Sequence, residues 1–292
     1  MRVLAIGATG VLGRELVPLL LRRGHELTVM APGRRLDDLP APVEPWRASL
    51  LDEGIEQRLE RTLGACETVL NLATAIPRDP RLPGAWEVNT RLRAEGTRRL
   101  ARAAAAAGVG RLVQMSITMA YPDGGDDWLD ESTPLDDDPR RSALVAPVSA
   151  LERAIRALPS TATRWTILRA ARFTGPGTIQ DDHRRLLAQR RLAVAGDPCS
   201  FVSMVAVADV ARAVVAAAES SAVAGTVLNI SDEPVRHGAY LDRLAQIDGV
   251  HLPPRAPTDT QELPSQRVDS SLARRLLHWK PIIGIWPSPI LV

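Results

Sequence analysis

Three glycines spaced three apart, Gly7, Gly10 and Gly13, occur in the run Gly7-Ala8-Thr9-Gly10-Val11-Leu12-Gly13, a pattern suited to holding phosphate. The apolar residues 3–6 before it read as a buried strand, and residues 13–21 after it as a helix. A strand before and a helix after make this glycine pattern a candidate dinucleotide loop. In that setting Gly7 permits a tight turn, and Gly10 omits the Cβ that would keep the backbone from a pyrophosphate. Gly13 lets the helix pack on the strand. The helix start adds N–H groups and a positive dipole end for the phosphates.

The residues after the second strand select among dinucleotides. A binder of NAD places Asp or Glu there for the ribose diol. Here the run is Met30-Ala31-Pro32-Gly33-Arg34-Arg35, without a carboxylate. Guanidinium groups at Arg34 and Arg35 suit a ribose 2′-phosphate, and Arg14 offers a third cation. The expected cofactor is NADPH/NADP+.

These residues need a scaffold. Strand patterns at residues 27–30, 43–46, 68–72, 111–116, 165–169 and 227–230 alternate with helix patterns at 55–63, 86–107, 150–158 and 210–218. That alternation predicts an α/β fold, a Rossmann-like doubly wound parallel sheet with a smaller C-terminal substrate lobe. Asp209 is the expected N-cap of the 210–218 helix. Residues 122–141 hold eight acidic residues and three prolines and read as an exposed loop over the sheet's C-terminal edge. Residues 174–177 read as a turn out of the sheet, and 183–191 as a basic helix. The domain expectation is a dinucleotide-binding part at 1–175, with 204–231 returning to it, and a substrate lobe or lid at 176–203 and 232–292.

Composition excludes several classes. The 292 residues are 45% hydrophobic, enough for a core, with a net charge of +2 that marks no nucleic-acid surface. The two cysteines show no metal-ligand spacing, so no metal is expected and a reducing cytoplasm fits. The first strand pattern begins at Arg2, so no signal peptide is expected. No apolar run approaches the ~20 residues of a membrane span, so no membrane is expected.

On these motifs the chain resembles the extended short-chain dehydrogenase/reductases, the group of NAD-dependent epimerases and dehydratases. The resemblance covers most of the chain. Gly7, Gly10 and Gly13 fit its glycine spacing. It implies cofactor contacts from Asn71-Leu72-Ala73-Thr74 after strand four and from Asn89 of the next helix, which is followed by Gly96-Thr97. The segments Arg169-Ala170 to Thr174-Gly175-Pro176, 207–211 and 276–281 match later family elements. The family's Asp-Leu beside the adenine falls at Ser49-Leu50, a departure.

A larger departure concerns catalysis. The family uses Tyr-x-x-x-Lys, with Ser or Thr at the end of strand five. Those positions fall on Leu144, Val148 and Ile117, and Lys280 is the only lysine in the chain. Ser116 and Thr118 flank Ile117, and with Tyr121 and His183 they are the remaining candidate proton donors or orienters.

Hydride transfer requires chiefly placement of the cofactor. What is missing is the proton, where general acid help is typically worth about 10²–10⁴-fold. A phenol beside a ketone, as in an aromatic polyketide, could supply it. The chain is similar in this respect to atypical reductases that tailor aromatic polyketides of the angucyclinone type. The expected activity is therefore an NADPH-dependent ketoreductase in antibiotic biosynthesis acting on a small aromatic molecule, with the proton from substrate or water. Trp128, in the acidic loop, is placed to face a flat substrate. A non-catalytic NADP(H)-binding sensor on the same fold remains the alternative.

Overall fold

Apolar runs bounded by glycine and proline become the strands of the computed structural model, which describes residues 1–77, 79–80, 82–159, 163–256 and 263–288. The chain opens with β1 (Arg2–Ile6), α1 (Val11–Arg22), β2 (Glu26–Ala31), β3 (Glu44–Arg47), α2 (Ile55–Leu63) and β4 (Thr68–Asn71). There follow α3 (Glu87–Arg91), α4 (Thr97–Ala107), β5 (Arg111–Ile117), β6 (Trp128–Leu129), α5 (Ser142–Arg156), β7 (Arg164–Ala170) and β8 (Arg172–Thr174). Next are α6 (Ile179–Ala188), β9 (Phe201–Val202), β10 (Met204–Ala206), α7 (Val207–Glu219) and β11 (Thr226–Ile230). Last come β12 (Val235–Arg236), α8 (His237–Ile247), β13 (Arg267–Val268) and α9 (Ser271–Leu276).

The chain divides into two units, one of Met1–Ser116, Pro139–Arg169 and Ala211–Leu228, the other of Ile117–Asp138, Ala170–Val210 and Asn229–Val292. The first is built on a seven-stranded parallel sheet in the order β11-β7-β5-β4-β1-β2-β3, flanked by helices. Every residue of β4 and the last four of β1 are buried, as continuous apolar runs in a parallel sheet require. Leu12, Leu16 and Leu20 recur along one face of α1 and are buried. Leu59, Leu63, Leu100, Ala104 and Ile155 belong to a core cluster with Leu4, Val69 and Ile167.

The second unit has two-stranded pairings, β10 with β8, β12 with β9 and β13 with β6. Its main core gathers Tyr240, Leu241 and Leu244 of α8 with Leu187, Met204 and Ile285. Among the described residues, no helix is long and apolar enough to cross a membrane.

The structure departs from the sequence expectation at several points. Residues 117–138 and 170–175, expected with the nucleotide part, fall in the second unit. Trp128 and Leu129 pair there with Arg267 and Val268, and the Gln266 side chain donates to the Tyr121 carbonyl at 2.6 Å. Likewise Arg172 to Thr174 pair with Met204 to Ala206. Helix α5 begins eight residues before the expected 150, running through Pro147, because an apolar face at Val145, Val148 and Leu151 is buried and outweighs the proline. The helix expected at 86–107 is interrupted by a π turn, Leu92–Gly96. The basic helix expected at 183–191 spans Ile179–Ala188, capped by Thr178. Asp209 is not an N-cap: it lies inside α7, and its carboxylate accepts from the Ile282 and Ile283 amides.

Candidate functional site

The turn between β1 and α1 is shaped by its glycines. Gly7 has φ +83°, and a Cβ there would lie 2.7 Å from the Ala73 Cα. A Cβ on Gly13 would lie 1.8 Å from the Ala8 carbonyl oxygen. Both positions are closed to any other residue by the protein itself. Gly10 differs, since a Cβ there would meet only the Gly7 carbonyl oxygen at 3.6 Å. Internal packing does not demand glycine at Gly10; an external group approaching the backbone would. The first helical bond runs from the Arg14 amide to the Gly10 carbonyl at 3.1 Å. The amides of Val11, Leu12 and Gly13 thus precede the intrahelical ladder, where a helix can receive an anion. Ala8 is buried, and Thr9 is partly exposed at the turn.

Beyond β2 the chain turns through Pro32 and Gly33 into a short 3₁₀ segment, Arg34–Asp38. Arg47 braces this turn, donating to the Gly33 carbonyl at 3.0 Å and to Asp37 at 2.7 Å. The nearest carboxylate is therefore already paired. Arg34, Arg35 and Arg14 are exposed and make no hydrogen bond or ion pair among the described residues. The donor set fits a dinucleotide, with the open backbone at Gly10 for the pyrophosphate.

The remaining rim is held by side-chain amides. Asn71 is buried, donates to the Gln114 side chain at 2.8 Å and accepts from the Ala73 amide at 3.3 Å. Asn89 accepts from the Ala75 amide at 3.0 Å. Leu72, Ala73 and Thr74 are thereby fixed from both ends, with Thr74 exposed, and Asn89 acts as a positioning residue. At the family's adenine position the Ser49 amide donates to the Asp52 carboxylate at 2.8 Å, and Leu50 is buried. A carboxylate therefore sits three residues after the usual place, a spacing that motif matching misses.

Helix α5 carries Leu144 and Val148 where the family has Tyr and Lys. One turn on, Glu152 is buried and receives the Ser116 hydroxyl at 2.7 Å. Arg169 forks onto the same carboxylate at 2.8 and 2.7 Å, and Arg156 approaches at 3.5 Å. Burial acts to raise the Glu152 pKa. Hydrogen bonds and charge from Arg169, with Ser116 and Arg156, outweigh it and hold the carboxyl below its ordinary value. The Ser116 proton is thus committed to a carboxylate. The buried ion pair joins residues seventeen apart and carries no local signature in the sequence.

Thr118, Tyr121 and His183 lie in the second unit. The Tyr121 amide bonds to the Thr118 carbonyl at 2.9 Å, so those two are brought together by one 3₁₀ turn. Both side chains are buried, and the Tyr121 hydroxyl donates to Asn229 Oδ1 at 2.9 Å. His183 lies on α6, its ring edge-on to Tyr240 at 6.0 Å. Burial, with help from His237 and Arg172, lowers its pKa to about 4. Nδ1 of His183 and Nδ1 of His237 are both occluded and unpartnered. Burial pushes Tyr240, the other tyrosine, up to about 12. Neither tyrosine resembles an acid activated by a neighbouring lysine. Trp128 is exposed on one side, with the Arg267 guanidinium 4.1 Å from its ring centroid.

Each unit has a surface cavity of its own. In the first, about 540 Å³ is lined by Leu82, Trp86, Ala143, Ala146 and Pro147 among others. In the second, about 560 Å³ is lined by Asp123, Asp126, Asp197, Cys199 and Arg236 among others. Among the described residues no three His, Cys, Asp or Glu side chains group as a metal site requires.

Comparison with known proteins gives a consistent picture. Residues 3–231 match the model of the NAD dependent epimerase/dehydratase family. A Streptomyces 3-diazoavenalumate denitrifying reductase is 32% identical, with 98% of each chain covered. The human epimerase family protein SDR39U1 is 28% identical over 84% of this chain and 79% of its own. Among solved structures, MoeE5 in complex with UDP-glucuronic acid and NAD superposes with a TM-score of 0.81 at 23% identity, covering 97% of this chain and 95% of its own. A double mutant of the dTDP-glucose 4,6-dehydratase DesIV from Streptomyces venezuelae, with NAD bound, gives 0.82 at 20% identity, covering 97% and 93%. At such identities the structural likeness concerns the fold.

Proposed function

The chain belongs to the NAD dependent epimerase/dehydratase family, and from that premise we propose that it is an NADPH-dependent reductase acting on an aromatic substrate that supplies its own proton. The acceptor in this proposal is a carbonyl of an aromatic polyketide bearing an adjacent phenol. Bound NADPH would supply the hydride to the carbonyl carbon, leaving NADP+. The alkoxide formed takes the phenol's proton, and the phenolate that remains is delocalised over the ring.

The observation that carries the proposal is the chemistry of the catalytic positions. Leu144 and Val148 carry no proton or charge, and Ser116 donates to Glu152. Tyr121 is buried and donates to Asn229. With these groups engaged, the chain's own residues bind and orient rather than protonate. The preference for the phosphorylated cofactor rests on Arg34, Arg35 and Arg14, exposed and without partners among the described residues, with no carboxylate in the run 30–35 that ends the second strand. The apolar groove lined by Trp86 and Pro147 adds a surface suited to a flat ligand.

A second acceptor is favoured by the Streptomyces relative, a denitrifying reductase of a diazo compound. Hydride delivered to the diazo-bearing carbon of a hydroxyaryl diazonium would expel N₂ and leave the neutral phenol, a step that again needs no acid from the protein. Both acceptors share the same hydride donor and the same indifference to a Tyr-Lys pair. The test is NADPH consumption by the purified chain with ortho-hydroxyaryl ketones and with hydroxyaryl diazo compounds, N₂ release being read for the latter. Turnover of the ketones supports the first acceptor, and N₂ release with NADPH loss the second. Tight NADPH binding with no turnover of either class would replace the enzyme by a cofactor-responsive sensor.

A further inference from the structure

Arg93 lies on the π turn between α3 and α4 and is only 9% exposed. It makes no hydrogen bond and no ion pair among the described residues. The contrast within the same unit is Arg169, which is 3% exposed and forked onto Glu152. Burial lowers the Arg93 pKa, with no carboxylate of the described residues acting on it. A guanidinium nevertheless stays charged inside proteins. A buried charge without a counter-charge is costly, so a fold that keeps one is holding it for something else.

Its surroundings say what that is. Asn89, one turn earlier, accepts from the Ala75 amide beyond β4. A Cβ on Gly96, one turn later, would lie 2.9 Å from the Leu50 Cβ, just past β3. Arg93 shares this inward face, between the loops that leave β4 and β3. Those strands flank β1 and β2, and Ala73 backs directly onto Gly7. Side chains on a helix tilt toward its N-terminus, which here is the end that holds Ala75. That tilt inclines Arg93 toward the Ala75 end, the side on which Ala73 meets Gly7. None of its nitrogens is among the fully occluded, unpartnered atoms of the described residues, so the guanidinium is not sealed off completely.

Resting on the cofactor proposed above, we infer that Arg93 is a binding residue for the pyrophosphate of the dinucleotide. A guanidinium matches phosphate oxygens in paired, charge-assisted hydrogen bonds. The anion neutralises a charge that the protein leaves uncompensated, so part of the binding energy is relief of a cost already present in the free chain.

The test is direct binding, not turnover. Calorimetry would compare NADPH with adenosine 2′-monophosphate, which keeps the 2′-phosphate and lacks the pyrophosphate, for wild type, Arg93→Met and Arg93→Lys. Arg93→Met should weaken NADPH binding about ten- to a hundredfold, as loss of hydrogen bonds to a charged group does. It should leave the monophosphate unchanged, and Arg93→Lys should recover part of the loss. Unliganded Arg93→Met should melt no lower than wild type, because it removes an uncompensated charge. Unchanged NADPH affinity in Arg93→Met overturns the inference. So does an Arg93→Met chain that fails to fold or loses both ligands, since Arg93 would then be structural. Failure of wild type to bind NADPH would instead strike the cofactor proposal itself.

Discussion

The Ser116 hydroxyl and the Glu152 carboxylate meet at 2.7 Å inside the first unit, at the strand end where this family places an active-site hydroxyl. The carboxylate is also forked by Arg169, so the serine is the lesser of its partners. Ser116→Ala should cost about 1 kcal/mol of stability and leave turnover within a few-fold. Denaturant titration and steady-state kinetics check the two parts. A loss of turnover of about a hundredfold or more would return Ser116 to the proton-transfer machinery.

Removing the carboxylate should be far more damaging. Glu152→Gln takes the counter-charge from a buried Arg169 and should cost about 3–5 kcal/mol in a denaturant titration. The Glu152 pKa is depressed in the folded chain. Its contribution to stability is therefore fully present above the unfolded carboxyl value, about 4.3. That contribution is lost as pH falls through the folded value, and the acid limb of the stability profile should flatten in Glu152→Gln.

His183 has the opposite chemistry and acts at a higher pH. Its folded pKa of about 4 lies below the ordinary 6.5, so the unfolded chain binds more protons between those values. Stability should fall as pH drops from 6.5 toward 4 and lose nothing further from this residue below that. His183→Gln should flatten this part of the melting-temperature profile. An unchanged profile would show that the histidine titrates as if exposed.

The two arginines after β2 should govern cofactor choice. Arg34→Ala with Arg35→Ala should weaken NADPH binding by about tenfold or more while leaving NADH nearly unaffected, because only the 2′-phosphate distinguishes them. Raising the salt concentration should mimic the substitutions, since both side chains are exposed. Equal losses for both cofactors would place the arginines elsewhere on the ligand.

Much of the nucleotide half was legible in the sequence, for a physical reason. Continuous apolar strands such as Val3 to Ile6, and glycines forced by backbone contacts at Gly7 and Gly13, leave local signatures. The strand at β5 and the helix at α2 emerge with nearly the expected bounds. What depends on distant partners was not legible. Asp209 has the residue type of a cap, yet its carboxylate holds the amides of Ile282 and Ile283. The Tyr121 bond to Asn229 spans more than a hundred residues. Arg93 stood in a run of arginines, and only burial separates it from its exposed neighbours.

The central claim is hydride transfer without a protein acid, and Tyr121, whose hydroxyl donates to Asn229, is the candidate donor to remove first. The measurement is NADPH oxidation by wild type and Tyr121→Phe with an ortho-hydroxyaryl ketone and with its methyl ether, which has no phenolic proton. Turnover within a few-fold in Tyr121→Phe, together with a collapse of turnover on the methyl ether in both proteins, is the predicted result. Loss of turnover in Tyr121→Phe, with wild type reducing the ether as fast as the phenol, would contradict it.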